Sequence, residues 1–232
     1  MPVLRVLTYN IRSLRDDPRA VARVIRSCRP DVVCLQEAPR LLGWRRARRR
    51  LARWTSLTPA VNRRAGGLAV LVRPGVEVLH REHRVLRRVP GPHLRAVSVA
   101  VLEAHGRRLA VACTHLDLAA GARLRHAREA LGVLERVAAE RGAAPVLAGD
   151  LNEGPDGPAW RLLASRLDDP GAQSSRYAAA TFTARRPRLR IDAVLTAPEL
   201  TVRRAGVPVD LLAAADVTAA SDHRPVLVDL EL

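Results

Sequence analysis

Residues 218–232, TAASDHRPVLVDLEL, place Asp222 and His223 directly before the last strand-like run of the chain. In isolation the pair has a structural explanation, because an Asp at a turn accepts from nearby backbone N–H groups and starts a strand cleanly. The same arrangement recurs elsewhere. Asn10, Glu37, His115 and Asp150 each close an apolar run (VLRVLTYN, DVVCLQE, RLAVACTH, PVLAGD), and Asn152 lies just beyond the last of these. Asp192, like the Asp222–His223 pair, opens one. If the last two strands run antiparallel to the first four, all of these side chains meet at one rim of the sheets.

Carboxylates, amides and imidazoles gathered in this way suit a defined chemistry. Carboxylate and amide oxygens with water are what a hard cation such as Mg²⁺ prefers, and the lack of Cys ligands argues against structural zinc. Glu37 is the leading ligand candidate, although a lone Glu after a strand equally serves as a cap for the following turn. Asp150, near Asn10 and Asn152, is placed to orient and deprotonate a water while the amides hold a phosphate. The same GDLN string, taken alone, is also a turn sequence. His223 needs a partner to fix its tautomer, and Asp192 is the obvious one. His115 supplies a second imidazole.

Strand-like runs are numerous, and several are apolar at consecutive positions, as expected of strands covered on both faces. Gaps near 74–76 and 104–107 have hairpin length. Between the strands, Asp17 and Pro18 start a helix whose stripe is Val21, Val24, Ile25 and Cys28. Residues 122–140 form a second helix with Leu124, Ala127, Leu131, Leu134 and Val137 on one face. In GWRRARRRLARW, helical spacing joins Trp44, Ala47, Leu51 and Trp54 and turns six arginines elsewhere, either as a solvated face or as a phosphate-contacting patch. No repeat or linker interrupts the chain, so residues 1–232 are expected to form a single α/β domain of mixed sheets with flanking helices.

All 39 basic residues of the 232-residue chain are Arg, with no Lys, and the net charge is +16. That charge fits an anionic partner, nucleic acid first among them. An all-Arg chain rich in Ala, Gly, Pro and Val also carries the mark of a GC-rich genome, and both explanations stand. Cys28, Cys34 and Cys113 lie in apolar runs without metal-ligand spacing and read as reduced core residues. No apolar run approaches membrane-spanning length and no export signal opens the chain, so a cytoplasmic monomer without stable membrane association is expected.

The ordered blocks TYN, QE, THL, GDLN, RID and SDHRPV run from Thr8 to Val226. Together they resemble the endonuclease/exonuclease/phosphatase superfamily, which includes deoxyribonuclease I, exonuclease III, abasic endonucleases, bacterial sphingomyelinases and inositol polyphosphate 5-phosphatases. The resemblance implies a four-layered α/β/β/α sandwich of two mixed β-sheets flanked by helices. It also implies hydrolysis of a phosphate ester with Mg²⁺ or Mn²⁺. On this resemblance Glu37 is the principal metal ligand, with Asn10 and Asp222 beside the metal. Asp150 activates the water, Asn152 and His115 contact the phosphate, and Asp192 and His223 form the Asp–His pair. Arg95 and Arg190 resemble substrate-contacting arginines. Leu68 and His126 depart from the pattern, standing where many members carry Asn and Gln.

The resemblance implies a metal-dependent phosphodiester hydrolase, with a nuclease of low sequence specificity as the leading reading. Arg-rich segments 45–53, 84–88 and 185–190 would track a phosphate backbone without reading bases. The few aromatics disfavour a stacking platform, and inserted wedge loops of the abasic-site kind are not seen. The alternatives are a phosphodiesterase or phosphatase acting on a small-molecule or lipid phosphate ester, as in sphingomyelinases, and a nucleic-acid-binding protein without catalysis.

Overall fold

Asp17 caps the first helix as its position predicts. Its carboxylate accepts from the Arg19 N–H at 2.8 Å, and Pro18 occupies the first helical position, where a missing N–H costs nothing. The computed structural model describes residues 2–89, 94–175 and 179–232. In chain order the elements are β1 Val3–Asn10, α1 Pro18–Cys28, β2 Val32–Gln36, α2 Trp44–Thr55, β3 Thr58–Val61, β4 Ala69–Val72, β5 Glu77–Val85 and β6 Ala96–Ala104. They continue with β7 Arg107–His115, α3 Ala120–Arg141, β8 Ala144–Asp150, α4 Pro158–Ala164, β9 Asp192–Thr196, β10 Val202–Gly206, α5 Ala214–Ala220 and β11 Val226–Glu231.

The strands form two mixed sheets, ordered β10-β11-β1-β2-β4-β3 and β5-β6-β7-β8-β9. Three apolar layers hold them. Val6, Cys34 and Val228 of the first sheet meet Val111, Cys113 and Val146 of the second between the sheets. The outer face of the first sheet packs on α1 and α5 through Leu7, Ile25 and Val217. The outer face of the second packs on α3 and α4 through Val99, Leu134 and Trp160. The four layers implied by the resemblance are therefore present. Strands such as β2 and β9, buried at all five positions, read as unbroken apolar runs because both faces are covered.

Two expectations are corrected and one is met. The gap at 74–76 is no hairpin, because β4 belongs to the first sheet and β5 to the second. The gap at 104–107 is one: Ala104 pairs with Arg107 across His105 and Gly106, which take φ of 51° and 76°. In α2 the buried stripe is Arg48, Leu51, Ala52 and Thr55, while Trp44 and Trp54 are only half-buried. Arg48 is inside because its guanidinium donates to the carbonyls of Pro39, Ala38, Arg63 and Leu68 and to the Asn62 side chain. Strands β3 and β10 gave no sequence signal; both are short edge strands with mixed burial.

Parallel pairing of β1 with β2 and of β7 with β8, with β9 and β11 antiparallel to their neighbours, brings the strand ends to one rim as the sequence argument required. The β7–β8 approach depends on Gly149. A Cβ there would lie 2.3 Å from the Thr114 carbonyl oxygen. Gly149→Ala is therefore expected to destabilise the fold by about 1–3 kcal/mol, seen as a lower midpoint in urea, and to displace Asp150 from its partners.

Candidate active site

The strand register places the central residues before any side chain is considered. His115 lies opposite Asp150, and Asp150 opposite Asp192, across three neighbouring strands. Asn10 reaches across from the other sheet, and its amide nitrogen donates to Asp150 Oδ2 at 2.9 Å and to Glu37 Oε1 at 3.2 Å. Its oxygen accepts the Arg12 N–H at 3.1 Å. Asn10 thus links a carboxylate of its own sheet, Glu37, to one of the other, Asp150.

Asp150 is held from every side. Oδ1 accepts the Asn152 N–H at 3.0 Å, while Oδ2 lies 3.3 Å from His115 Nε2 and 3.7 Å from His223 Nε2. Asn152 takes a φ of +54° and donates from its side chain to the Leu116 carbonyl at 2.9 Å. Glu37 also sits at positive φ, +47°, an uncommon conformation for Glu that turns its carboxylate into the cleft.

His223 bonds Asp192 through Nδ1 at 2.9 Å and 3.2 Å to the two carboxylate oxygens, which leaves Nε2 facing Asp150 and the cleft. Burial disfavours the imidazolium, but Asp192, Asp150 and Asp222 together overcome it and raise the His223 pKa to about 10. Asp150 is shifted upward as well, chiefly by burial, against the opposing pull of His115 and His223. The His223 shift describes a site whose carboxylates outweigh the cost of burying a cation.

Three residues that the sequence did not single out complete this arrangement. Thr181 Oγ1 accepts the N–H groups of Ile191 and Asp192 at 3.1 and 3.2 Å, fixing the start of β9. Ser221 Oγ donates to the Asn10 carbonyl at 2.8 Å and accepts the His223 N–H at 3.3 Å. Its place two residues before His223 is the available signal, since a hydroxyl commonly bonds the N–H two residues on. Phe182 packs its ring 5.0 Å from the His223 ring and had no sequence signal.

Glu37, His115, Asp150, Asn152, Arg95 and His223 line a cleft of about 800 Å³. Arg95 is buried at its wall, 3.6 Å from Asp117. Burial lowers the Arg95 pKa, while Asp117, Asp150 and Glu37 pull it back up. Three of the expected site residues also hold other partners. The Asn10 oxygen accepts the Arg12 N–H, with its second lone pair left over for a cation. Asp222 pairs with Arg12, 3.4 Å away. Arg190 is drawn away from the cleft by an ion pair with Asp169, and its guanidinium stacks on Trp160 with 4.8 Å to the ring centroid.

The donor chemistry fits a hard divalent cation. Asp150, Asp192 and His223 offer ligand atoms within 4.8 Å of one another. Glu37, whose carboxylate bonds only Asn10 among the described residues while its carbonyl accepts the Ser13 N–H, adds a second cleft-facing carboxylate to Asp150. A cation there would neutralise the charge excess that raises His223.

A family model described as the Endonuclease/Exonuclease/phosphatase family matches residues 7–223. No curated protein matches the chain by sequence. Solved structures do. A mannosyl-6-phosphatase from Bacteroides thetaiotaomicron VPI-5482 is 18% identical with a TM-score of 0.83, covering 99% of this chain and 100% of that one. The human Nocturnin catalytic domain with bound sulfate is 20% identical with a TM-score of 0.74, covering 99% and 94%. An endonuclease/exonuclease/phosphatase from Beutenbergia cavernae DSM 12333 is 26% identical with a TM-score of 0.73, covering all of this chain and 72% of that one. The match over residues 7–223 and the shared fold lead to one conclusion: the chain belongs to the endonuclease/exonuclease/phosphatase family, whose members are metal-dependent hydrolases of phosphate esters.

Proposed function

We propose that the chain is a phosphodiester hydrolase dependent on Mg²⁺ or Mn²⁺, using Asp150 to position and deprotonate the attacking water. The observation that carries this reading is the convergence of Asn10, His115 and His223 on one oxygen of Asp150 at the floor of the cleft. The cation, when bound, supplies Lewis-acid polarisation of the phosphoryl oxygen. Glu37 is its first holder, with Asp150 beside it. His223, fixed by Asp192 with Nε2 toward the cleft, donates to a phosphate oxygen as negative charge develops there. His115 and Asn152, which also line the cleft, orient the phosphate, and the Arg95 guanidinium at the cleft wall attracts it. Glu37→Gln is expected to raise the Mg²⁺ concentration for half-maximal activity at least about tenfold, measured by titrating metal into chelator-treated enzyme.

On charge, nucleic acid is the first substrate reading, as a nuclease of low sequence specificity. A second reading, a lipid or small-molecule phosphate ester, is favoured by the apolar rim of the cleft and by the full-length likeness in fold to a sugar phosphatase. The test is a panel in Mg²⁺ or Mn²⁺, with and without chelator: duplex, single-stranded and abasic DNA, RNA, phospholipid vesicles and bis(p-nitrophenyl) phosphate. Chelator-sensitive cleavage of at least one diester is expected. Cleavage of none, or cleavage indifferent to chelator, overturns the proposal.

A further inference from the structure

Large apolar side chains are exposed at several places among the described residues, and the four most exposed share one location. Leu42 (106% exposed), Leu41 (69%), Leu118 (63%) and Leu189 (55%) all line the catalytic cleft, whereas the less exposed Leu79, Val85 and Val209 do not. The four come from three connections: the one between β2 and α2, which carries Leu41 and Leu42, the one after β7, and the segment leading into β9. Scattered exposed leucines need no explanation, but a ring of them around a polar site does.

Cationic side chains stand at the same mouth. Arg15, Arg40 and Arg50 are exposed and line the cleft, and exposed Arg45 lies over the ring of Trp44, another residue of the lining. Elsewhere Arg12, Arg23, Arg73, Arg136 and Arg204 sit on carboxylates. None of these four arginines holds an ion pair among the described residues; Arg45 and Arg50 rest instead on the rings of Trp44 and Trp54. A face that combines exposed leucines, tryptophans and unpaired arginines matches an anionic lipid–water boundary, with its apolar depth and its layer of phosphates. It matches a nucleic-acid backbone less well, since four aliphatic side chains around the phosphate site have nothing there to pair with. Self-association through this face is opposed by its own positive charge.

The geometry points to an interfacial role: the mouth of the cleft docks on an anionic phospholipid bilayer, Leu41, Leu42, Leu118 and Leu189 entering the headgroup–acyl boundary while the α2 arginines meet lipid phosphates. This deepens the lipid-phosphate reading above and rests on it. Docking would deliver a lipid phosphodiester to Asp150 without drawing the whole molecule into water.

The test is co-sedimentation of the full chain, in chelator so that nothing turns over, with phosphatidylcholine vesicles made with and without phosphatidylglycerol. Binding is expected for the mixed vesicles and not for phosphatidylcholine alone. Replacing Leu41 and Leu42 together by Ser is expected to weaken partitioning about tenfold or more, and Leu118→Ser with Leu189→Ser to do the same. Leu79→Ser with Val209→Ser, away from the cleft, should bind like the parent. Thermal melts of all variants separate lost docking from lost fold. Equal partitioning of rim and control variants overturns the inference. So does leucine dependence that appears only with duplex DNA, or a dimer by sedimentation that the rim variants dissolve. A parallel Mg²⁺ assay keeps the two failures apart. Cleavage of phosphatidylglycerol without leucine-dependent docking removes the inference and leaves the substrate reading, whereas leucine-dependent docking with cleavage of nucleic acid alone removes the substrate reading.

Discussion

Asp150→Asn is expected to lower kcat/KM by about three orders of magnitude, within the range lost when a positioned general base is removed. The side chain keeps its shape, but an amide has one acceptor oxygen where the carboxylate has two, so either the Asn152 N–H or the Asn10 amide keeps its hydrogen bond and the other donor faces the new NH₂. Stability has two opposing contributions. Burial raises the Asp150 pKa in the metal-free protein, so the ionised carboxylate is held there at a cost to the fold that the substitution relieves. The donor left without an acceptor, and the anionic partner lost by His115 and His223, oppose that gain, so the metal-free melting temperature of the variant is expected to stay close to the parent's. Steady-state kinetics with a soluble diester and a thermal melt in chelator check both halves. Retention of more than about a tenth of the parent activity removes Asp150 from the role of base.

Asp192→Asn tests the second half of the site. With the carboxylate in place, His223 Nδ1–H is pinned at 2.9 Å and Nε2 is turned to the cleft. An amide at residue 192 can present its NH₂ to the ring and select the other tautomer, so a loss of about 10²–10⁴ in kcat is expected with a small change in KM. The same substitution removes a main cause of the raised His223 pKa, which is about 10 in the parent. Because the folded value lies above the ordinary value of about 6.5, the protonated histidine contributes stability that is fully present below that lower pH. The contribution is lost as pH rises through about 10. In chelator, urea denaturation of the parent should therefore weaken across this window, while the Asp192→Asn protein shows a flatter dependence. A KM effect alone, with kcat and the pH dependence unchanged, would show that Asp192 does not act through His223.

Much of this site was legible as sequence because its residues sit at strand ends. A strand that is buried on both faces has to be apolar along its length, so a polar residue at its end stands out, and Asn10, Glu37, His115, Asp150 and Asp192 were visible for that reason. Thr181, Ser221 and Phe182 were not, because a hydroxyl that bonds a backbone N–H or a ring that packs on an imidazole has no periodicity to betray it. Arg190 was misplaced for a related reason. Its neighbours in the chain are site residues, yet its guanidinium reaches a carboxylate and a Trp ring that the chain supplies some 20 to 30 residues earlier, at Asp169 and Trp160.

By itself the sequence determined the layered α/β character, the helix starting at Asp17, the 105–106 turn and the set of polar strand ends, because each follows from local periodicity, capping or turn chemistry. Only the tertiary structure decided which sheet each strand joined, and hence that the gap after β4 crosses between sheets instead of folding back. It also decided that Asn10 links Glu37 to Asp150 and that Arg48 turns inward. It brought four leucines from three connections to one cleft. These depend on contacts between residues far apart in the chain, fixed by how the two sheets pack and not by any local pattern.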